Sequence, residues 1–367
     1  MKLLDRLILV EFIGPFIFGV ALFTALLTST VYLFGLTDYF VQGASVLLVL
    51  QLMLLYLPGM IAWTFPMSSL LAVLLGFGRL SSDSELIAVL ASGINFWRVV
   101  APVATAGLVI SGVALLFSEE IVPRSSQEAA KLKATIVQQI GRSHEPVFMR
   151  KVNDGKLAET VVADSMNFER NIMYRVTVTR YDPKTGEPSL VVFANTAIYD
   201  KGDWRYRDVK AVDSPLDKSI RSQIESGSLI VKNNLDIKKT PQQIVMDMVP
   251  AENLGSRQIL QRIENEKREK KDNVLGLQVE YYNKFAVPLS SIVFCLVATP
   301  LGIRNPRRGG VAIGWVATIG IIISYWVLMR FMGVLGSGGA IAPWFAAFGP
   351  DMFGISIAII LLMKRSH

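Results

Sequence analysis

The chain has 367 residues, of which 51% are hydrophobic and 18% charged, and its mean hydropathy is +0.42. Soluble globular proteins carry about 25% charged residues, so this composition argues against a soluble protein. The net charge of +7 gathers largely at the ends of apolar segments and therefore does not indicate a nucleic-acid-binding protein.

Three long apolar segments without any charged side chain occupy the first third of the chain, at 12–37, 39–78 and 99–118. A helix needs about 20 apolar residues to cross the hydrocarbon of a membrane. We therefore predict a first span at 7–36 and a third at 97–117. The middle segment is too long for one span, so we predict an external apolar helix at 46–56 followed by the second span at 58–77.

The loop between the second and third predicted spans has the signals of a short helix. Ser82 and Glu85 match the S-x-x-E capping box, in which each side chain bonds a free backbone N–H. The carboxylates of Asp83 and Glu85 suit the positive N-terminal end of a helix. Gly93 suits the position just after its last turn. We predict a helix within about 80–93.

One face of this predicted helix is apolar, because Leu86, Val89 and Leu90 recur at helical spacing. A short amphipathic helix between two spans fits a coupling helix that docks on a cytoplasmic ATPase. The alternative interpretation is an ordinary capped loop helix. The local sequence leaves both interpretations open.

The block at 119–284 carries most of the charged residues and has a different pattern. Short apolar runs with two-residue alternation are separated by turn signals, which predicts an antiparallel β domain of roughly eight strands within 145–239. Helical patterns at 125–141 and 256–272 flank the predicted strands. This block is predicted to be one water-facing domain.

Three further spans follow, predicted at 282–301, 311–331 and 343–363. The fold class is therefore a membrane α-helical protein with two groups of three helices and an inserted all-β domain. The domains are 1–118, 119–284 and 285–367.

The positive charges next to the spans predict the orientation, since cytoplasmic loops are rich in Lys and Arg. Both termini and the loops at 79–98 and 304–308 should face the cytoplasm, and 119–284 should lie outside. The short loops on the opposite side, at 38–45 and 333–342, contain no Lys or Arg. The basic residues on the cytoplasmic side are Lys2, Arg6, Arg79, Arg98, Arg304, Arg307, Arg308, Lys364 and Arg365.

Catalytic and metal-binding motifs are absent from the sequence. It contains no Walker phosphate loop, no H-E-x-x-H and no G-x-S-x-G. The single cysteine, Cys295, and the two histidines, His144 and His367, do not form a zinc-ligand pattern. We therefore predict no catalytic residue, no metal and no cofactor, and we expect any energy for transport to come from a partner.

Two basic residues lie at predicted outer span ends, Arg330 and Lys284. Each fits a ligand for an anionic lipid headgroup, and each equally fits an interfacial anchor whose charge extends to water. Asp351 has two interpretations as well. It is either a buried carboxylate in the sixth span or, if that helix starts at Pro350, a surface residue of its first turn. We favour the second.

A set of short motifs runs along the chain in order: LDRLI at 4–8, FP at 65–66, GRLSSDSE at 78–85, ASG at 91–93, VP at 122–123, YNKFAVP at 282–288, PLG at 300–302, APW at 342–344 and GP at 349–350. In this order and with this topology, the motifs resemble those of the LptF/LptG permease family over essentially the whole chain.

The resemblance implies a transmembrane subunit of an ABC exporter that extracts lipopolysaccharide, or a related amphipathic lipid, from the bacterial inner membrane. It implies an LptB-like cytoplasmic ATP-binding subunit, a second permease chain, periplasmic LptC/LptA-like bridge proteins and surrounding membrane lipids as partners. It also implies that 119–284 is a periplasmic jellyroll and that spans one and five form a lateral gate. The coupling helix of the family corresponds here to Arg79, Ser82, Asp83, Glu85, Leu86 and Gly93.

The resemblance implies that the jellyroll hands the lipid onward, which an apolar groove would allow. Candidate groove residues on the predicted strands are Phe148, Val176, Val178 and Phe193, and the sequence leaves open which face lines the groove. Some family members carry basic residues at the outer end of span one, whereas this chain has Asp38 there. Arg330 and Lys284 are therefore the better headgroup candidates.

Several alternatives stay open at this point. The chain could be of either the LptF or the LptG type, and it could pair with a paralogue or with itself. A different class of function is a membrane scaffold or sensor whose external β domain binds a partner without transport. A secondary transporter is disfavoured because ionisable residues within the spans are scarce.

Overall fold

The computed structural model describes residues 3–139, 147–153, 156–168, 170–182, 185–200, 203–212, 240–268, 274–303 and 311–366. Its helices are α1 (Leu3–Val41), α2 (Val46–Ser82), α3 (Glu85–Ala91), α4 (Phe96–Leu116), α5 (Val122–Gln139), α6 (Pro241–Met248), α7 (Ser256–Arg268), α8 (Val274–Gly302), α9 (Val311–Ser337) and α10 (Pro343–Ser366). Its strands are β1 (Val147–Asn153), β2 (Lys156–Asn167), β3 (Ile172–Tyr181), β4 (Pro188–Asp200) and β5 (Asp203–Val212).

Among the described residues, six helices are long and apolar enough to cross a membrane, which confirms the predicted number of spans. They are α1, α2, α4, α8, α9 and α10. The inserted β domain is confirmed as well, because the five strands lie between α5 and α6 in the chain.

The second span is longer than predicted. α2 runs without a break for 37 residues, about 55 Å at 1.5 Å per residue, and exceeds the hydrocarbon thickness of a membrane. The predicted separate helix at 46–56 is therefore wrong. Pro58 and Pro66 both lie inside α2. Proline removes a single N–H donor and is tolerated within membrane helices, so it did not mark a boundary here.

The third span also continues beyond the predicted end. A π-helical turn, Phe117–Ile121, joins α4 to α5, so one nearly continuous helical path runs from Phe96 to Gln139. The return path after the sheet runs through α6, a 3₁₀ turn at Ala251–Asn253, and α7 into α8.

The strands form one antiparallel sheet in the order β1-β2-β3-β4-β5. Five of the roughly eight predicted strands are found in the described residues, and the predicted strand at 229–231 lies outside them. One face of the sheet is buried, and Ile244 of α6 packs in the same core as this face. The alternation of buried and more exposed side chains along β3 shifts by one residue between Met173 and Val176. Arg175, whose φ is +47°, lies at this shift.

α8 lies at the centre of the membrane helices and is the most buried of the six spans. Its core cluster joins Phe294, Cys295 and Ala298 to Phe77 of α2 and Val103 of α4. α4 approaches α8 closely at Gly107, because a Cβ atom built there would lie 2.9 Å from the Ile292 Cα and 3.1 Å from the Cys295 Cβ.

Gly107→Ala is expected to lower the stability of the membrane helices by about 1–3 kcal/mol, the usual cost of overpacking a core, because backbone atoms of α8 must move. Gly112→Ala on the same helix is the matched control, since nothing lies within 4 Å of its Cβ position. Thermal unfolding followed by circular dichroism in detergent measures the difference. Equal melting temperatures for the two variants would contradict the close approach of α4 to α8.

Candidate functional site

A groove of about 680 Å³ lies between α1 and α2. Its walls are almost entirely apolar, and it extends from Phe16 and Phe65 at one end to Leu36 and Met53 at the other. The Phe16 and Phe65 rings stack at 6.1 Å between centroids and close the first end. The second end is closed by the small core to which Leu36 and Met53 belong.

At the Phe16 end of the groove, glycines let α1 and α2 approach closely. There Gly19 leaves room for Ser68, whose Cβ would be 3.1 Å from an added Cβ, and Gly76 leaves room for the ring of Phe12. Small residues allow two membrane helices to approach in this way. Beyond the Gly19 contact, no further glycine of α1 lies against α2, and the space between the helices stays open to the membrane.

Two hydroxyl groups of the groove have no hydrogen-bond partner among the described residues. They belong to Thr24 and Thr28, one turn apart on α1, and Thr28 is only 4% exposed. By contrast, Thr30 donates in the usual way to the Leu26 carbonyl at 2.9 Å. A polar group left unpaired in apolar surroundings costs free energy, so the groove suits an occupant that is largely apolar but carries polar atoms.

The loop helix is confirmed as α3, but the predicted capping box is wrong. Ser82 still belongs to α2, and its hydroxyl donates to the Arg79 carbonyl at 2.8 Å instead of capping α3. The residue before α3 is Ser84, with φ of +62° and no side-chain cap. Because α2 extends further than predicted, only two residues separate the helices. The prediction for Gly93 is confirmed, since its φ is +82° and its N–H donates to the Leu90 carbonyl.

α3 has an inner face that packs against the membrane helices and an outer face that is exposed. Leu86 is buried, and Val89 and Leu90 pack against the core of the membrane helices. Glu85 and Ala88 are exposed. An apolar inner face fixes α3 to the bundle, and the outer face is free in this chain to contact another protein.

Two ion pairs connect α1 to the segments on either side of α3. Before α3, the Arg79 Nη1 lies 3.0 Å from the Glu11 Oε2. After α3, the Arg98 Nη2 lies 2.8 Å from the Asp5 Oδ1. Arg79 also lies 3.8 Å from Asp83. The N-terminal part of α1, the helix that lines the groove, is therefore bound to the chain both before and after α3.

Comparison with known proteins decides the family. The family model described as "Lipopolysaccharide export system permease LptF/LptG" matches residues 6–364. The chain belongs to the LptF/LptG family. It is 24% identical over 327 residues to the lipopolysaccharide export system permease protein LptG of Escherichia coli strain K12, covering 85% of this chain and 84% of that protein. LptG of Escherichia coli O6:H1 matches with the same identity and coverage.

Members of the LptF/LptG family are permease subunits and not enzymes themselves. Together with its six apolar helices, the family makes this chain a multi-pass protein of the inner membrane. Within the described residues, no group of three or more His, Cys, Asp or Glu side chains could hold a metal ion.

The two headgroup candidates lie in different surroundings. Arg330 is exposed on α9 and stays available for a ligand. Lys284 is only 4% exposed, and its ammonium group donates to the Ser118 carbonyl and hydroxyl, each at 3.2 Å. Neither predicted role of Lys284, as a headgroup ligand or as an anchor whose charge extends to water, fits this position, because its stem and charge turn inward against the π-helical turn. Arg330 is the headgroup candidate that this LptF/LptG-family chain leaves accessible.

The four groove candidates of the sheet do not share a face. Val176 and Val178 are buried in the core of the sheet. Phe148 and Phe193 are 57% and 43% exposed, and the pairing Phe148–Val162–Thr177–Phe193 places them in one row on the opposite face. A single lipid groove cannot include all four. A role in lipid contact stays a prediction for the row that contains the two phenylalanines.

Asp351 is a buried residue of the sixth span, and its prediction as a surface residue is wrong. α10 starts at Pro343, so Asp351 lies in its third turn, 5% exposed, and accepts a hydrogen bond from the Tyr325 hydroxyl at 3.0 Å. Gly349 and Pro350 do not start a helix here. Gly349 instead gives Met332 of α9 room to approach. A partly buried polar pair thus links the fifth and sixth spans.

Proposed function

We propose that this LptF/LptG-family chain is the transmembrane subunit of an ATP-driven exporter that extracts lipopolysaccharide from the inner membrane toward a periplasmic bridge. The observation that carries the proposal is the groove between α1 and α2. It is open to the membrane and apolar, and it contains two hydroxyls without partners. Lipopolysaccharide, for whose export the family is named, combines acyl chains with polar linkages.

The groove also lies at a suitable depth for a lipid that leaves the outer leaflet. Thr24 and Thr28 are about 30–40 Å along α1 from its first described residue, which is close to the thickness of the hydrocarbon. With Arg6, Arg79 and Arg98 on the cytoplasmic side, the hydroxyls lie near the outer boundary of the membrane. In this orientation both termini are cytoplasmic and the sheet domain is periplasmic.

ATP hydrolysis is assigned to a separate LptB-like subunit that docks on the exposed face of α3. The apolar inner face of α3 and the ion pairs on both sides of it support this assignment. A second permease chain completes the assembly, and LptC/LptA-like proteins accept the lipid at the sheet domain. Arg330 contacts the anionic headgroup.

Ala25→Phe is expected to reduce the amount of lipopolysaccharide that copurifies with the complex by about tenfold or more, which corresponds to about 1.4 kcal/mol. Ala25 lines the groove, and a phenyl ring there would occupy the space of an acyl chain. The measurement is mass spectrometry of lipid bound to the complex in nanodiscs.

Leu26→Phe is the matched control, because Leu26 is the next residue and is exposed to the membrane but does not line the groove. It should keep lipid binding within about twofold of the wild-type chain, as exposed apolar substitutions have small effects. Undiminished binding by Ala25→Phe, or an equal loss in both variants, would remove the groove from the proposal. Absence of lipopolysaccharide from the wild-type complex would favour a scaffold without transport.

A further inference from the structure

Both connections between the membrane helices and the sheet domain pass through one place. The outward connection is the π-helical turn Phe117–Ile121, which leads from α4 into α5. The return connection is the 3₁₀ turn and α7, which lead into α8. π-Helical turns are rare, and those that occur frequently lie at functional sites. The side chains that join these two connections have no role in the proposed lipid or ATPase contacts.

The first link is the ammonium group of Lys284 on α8. It donates to the carbonyl and the hydroxyl of Ser118, at 3.2 Å each, and so joins the fourth span to the π-helical turn. The carboxylates of Glu119, Glu280 and Glu252 attract this positive charge electrostatically. A buried charge is retained only where it is paired and hydrogen-bonded, and here the partners come from both connections.

The second link is the carboxylate of Glu119, the next residue of the turn. Its two oxygens accept hydrogen bonds from the Ser256 N–H, at 3.2 and 3.0 Å, and from the Ser256 hydroxyl, at 2.8 Å. Ser256 is the first residue of α7. A carboxylate at this end satisfies backbone donors and favours the helix dipole, so Glu119 fixes the start of α7 to the turn.

Apolar packing continues on the outer side of these links. Leu254, Ile259 and Ile263 of the return connection form one core with Leu277 of α8, and Ala130 of α5 packs against it. A cavity of about 30 Å³, which is enough for a water molecule, lies beside Lys284. The two connections and α8 are therefore held together by apolar packing as well as by the two polar links.

We propose that Lys284 and Glu119 are positioning residues of a joint that fixes the sheet domain relative to the membrane helices and transmits movement of α8 to it. The proposal rests on the proposed function, since a transporter must pass the lipid from the groove to the sheet domain. Each residue of the joint acts through a neighbour, Ser118 or Ser256, and neither touches the groove between α1 and α2.

Pulsed electron paramagnetic resonance on the full complex in nanodiscs tests the joint directly. The native Cys295 is replaced by alanine, and spin labels are attached at Asn195 of the sheet and Ser337 of α9, both of which are exposed. Lys284→Met keeps the approximate side-chain length and removes the charge. We expect a broader distance distribution than in the labelled parent, and ATP-driven release of lipopolysaccharide reduced about tenfold, as for lost hydrogen bonds to a charged group.

Two further variants keep the test decisive. Glu119→Ala breaks the joint from its other side and leaves both Lys284–Ser118 bonds in place, so it gives an answer even if Lys284→Met fails to assemble. Lys131→Met on α5 is the control, because Lys131 makes a surface pair with Glu128. It should leave the distances and the release unchanged. In the two joint variants, lipid loading and ATP hydrolysis should stay within about twofold, since neither the groove nor α3 is altered.

An unchanged distance distribution with normal release in Glu119→Ala would overturn the proposal. Loss of lipid loading or ATP hydrolysis in parallel with release would also overturn it, because that pattern indicates general damage to the membrane helices. A parent complex that binds no lipopolysaccharide would disprove the proposed function instead. In that case the distance measurement alone tests the proposed joint. A broader distance distribution in both variants would support the joint, and an unchanged distribution would refute it.

Discussion

Glu85→Lys is expected to separate the ATP-binding subunit from this permease while the six spans stay folded. Glu85 is exposed at the first residue of α3, and the apolar contacts that hold α3 to the bundle come from Leu86, Val89 and Leu90. A cation at a helix N-terminus is disfavoured by about 0.3–1 kcal/mol. The larger effect is at the contact with the partner, where truncating or opposing a buried charge costs about 2–5 kcal/mol.

Affinity purification from native membranes, followed by mass spectrometry, measures this effect as the amount of ATP-binding subunit recovered per permease. We expect a decrease of at least about tenfold, the factor for 1.4 kcal/mol. Glu120→Lys is the matched control, because Glu120 is also an exposed glutamate but lies at the opposite end of the third span, paired with Arg124. Full recovery of the subunit with Glu85→Lys would place the ATPase contact elsewhere.

The spans and the inserted sheet were predictable because their signals are local. In a membrane every backbone polar group must be paired within the helix, so a charge-free segment of sufficient length specifies its own structure. The strands β3 and β4 carry the two-residue alternation in their own sequence. The family resemblance drew on the same kind of short, ordered signals and was confirmed by the match over residues 6–364.

The errors arise where a local signal has two structural meanings. Proline ends helices in water, yet Pro58 and Pro350 both lie inside membrane helices here. Ser82 has the sequence context of a cap, but its hydroxyl is used by the last turn of α2. In each case a longer helix than predicted changed the role of the residue.

The groove and the joint could not be predicted, because they depend on contacts between residues distant in sequence. Thr24 and Thr28 look like ordinary span residues, and only the gap between α1 and α2 shows that their hydroxyls lack partners. Lys284 and Ser118 are 166 residues apart. From sequence, a lysine at the end of a span is expected at the surface. The Lys284 side chain points inward because its partner, Ser118, lies in the π-helical turn opposite α8.

In the proposed exporter, the ion pairs beside α3 offer a route by which movement of the ATPase would reach the groove. α1 is bound through Glu11 to the segment before α3 and through Asp5 to the segment after it. Because α1 is one continuous helix from this end to the groove wall, a displacement of the α3 loop must displace that wall. Asp5 is the better test position, since it is 18% exposed and its partner Arg98 is 34% exposed.

Asp5→Arg is expected to uncouple hydrolysis from transport. Two guanidinium groups would then face each other, and α1 would separate from α4 while the exposed face of α3 stays unchanged. We expect the ATP-binding subunit to stay bound and ATP hydrolysis to continue, and lipopolysaccharide released per ATP to fall about fivefold, equivalent to about 1 kcal/mol, the upper end for partly exposed ion pairs. Proteoliposomes in which both rates are followed provide the measurement.

Asp5→Arg combined with Arg98→Asp restores the pair with its charges exchanged. The double variant should return the amount of lipopolysaccharide released per ATP to within about twofold of the wild type, the signature of a direct interaction. If the double variant is as defective as Asp5→Arg, or if the single variant couples normally, movement reaches the groove by a route other than this ion pair.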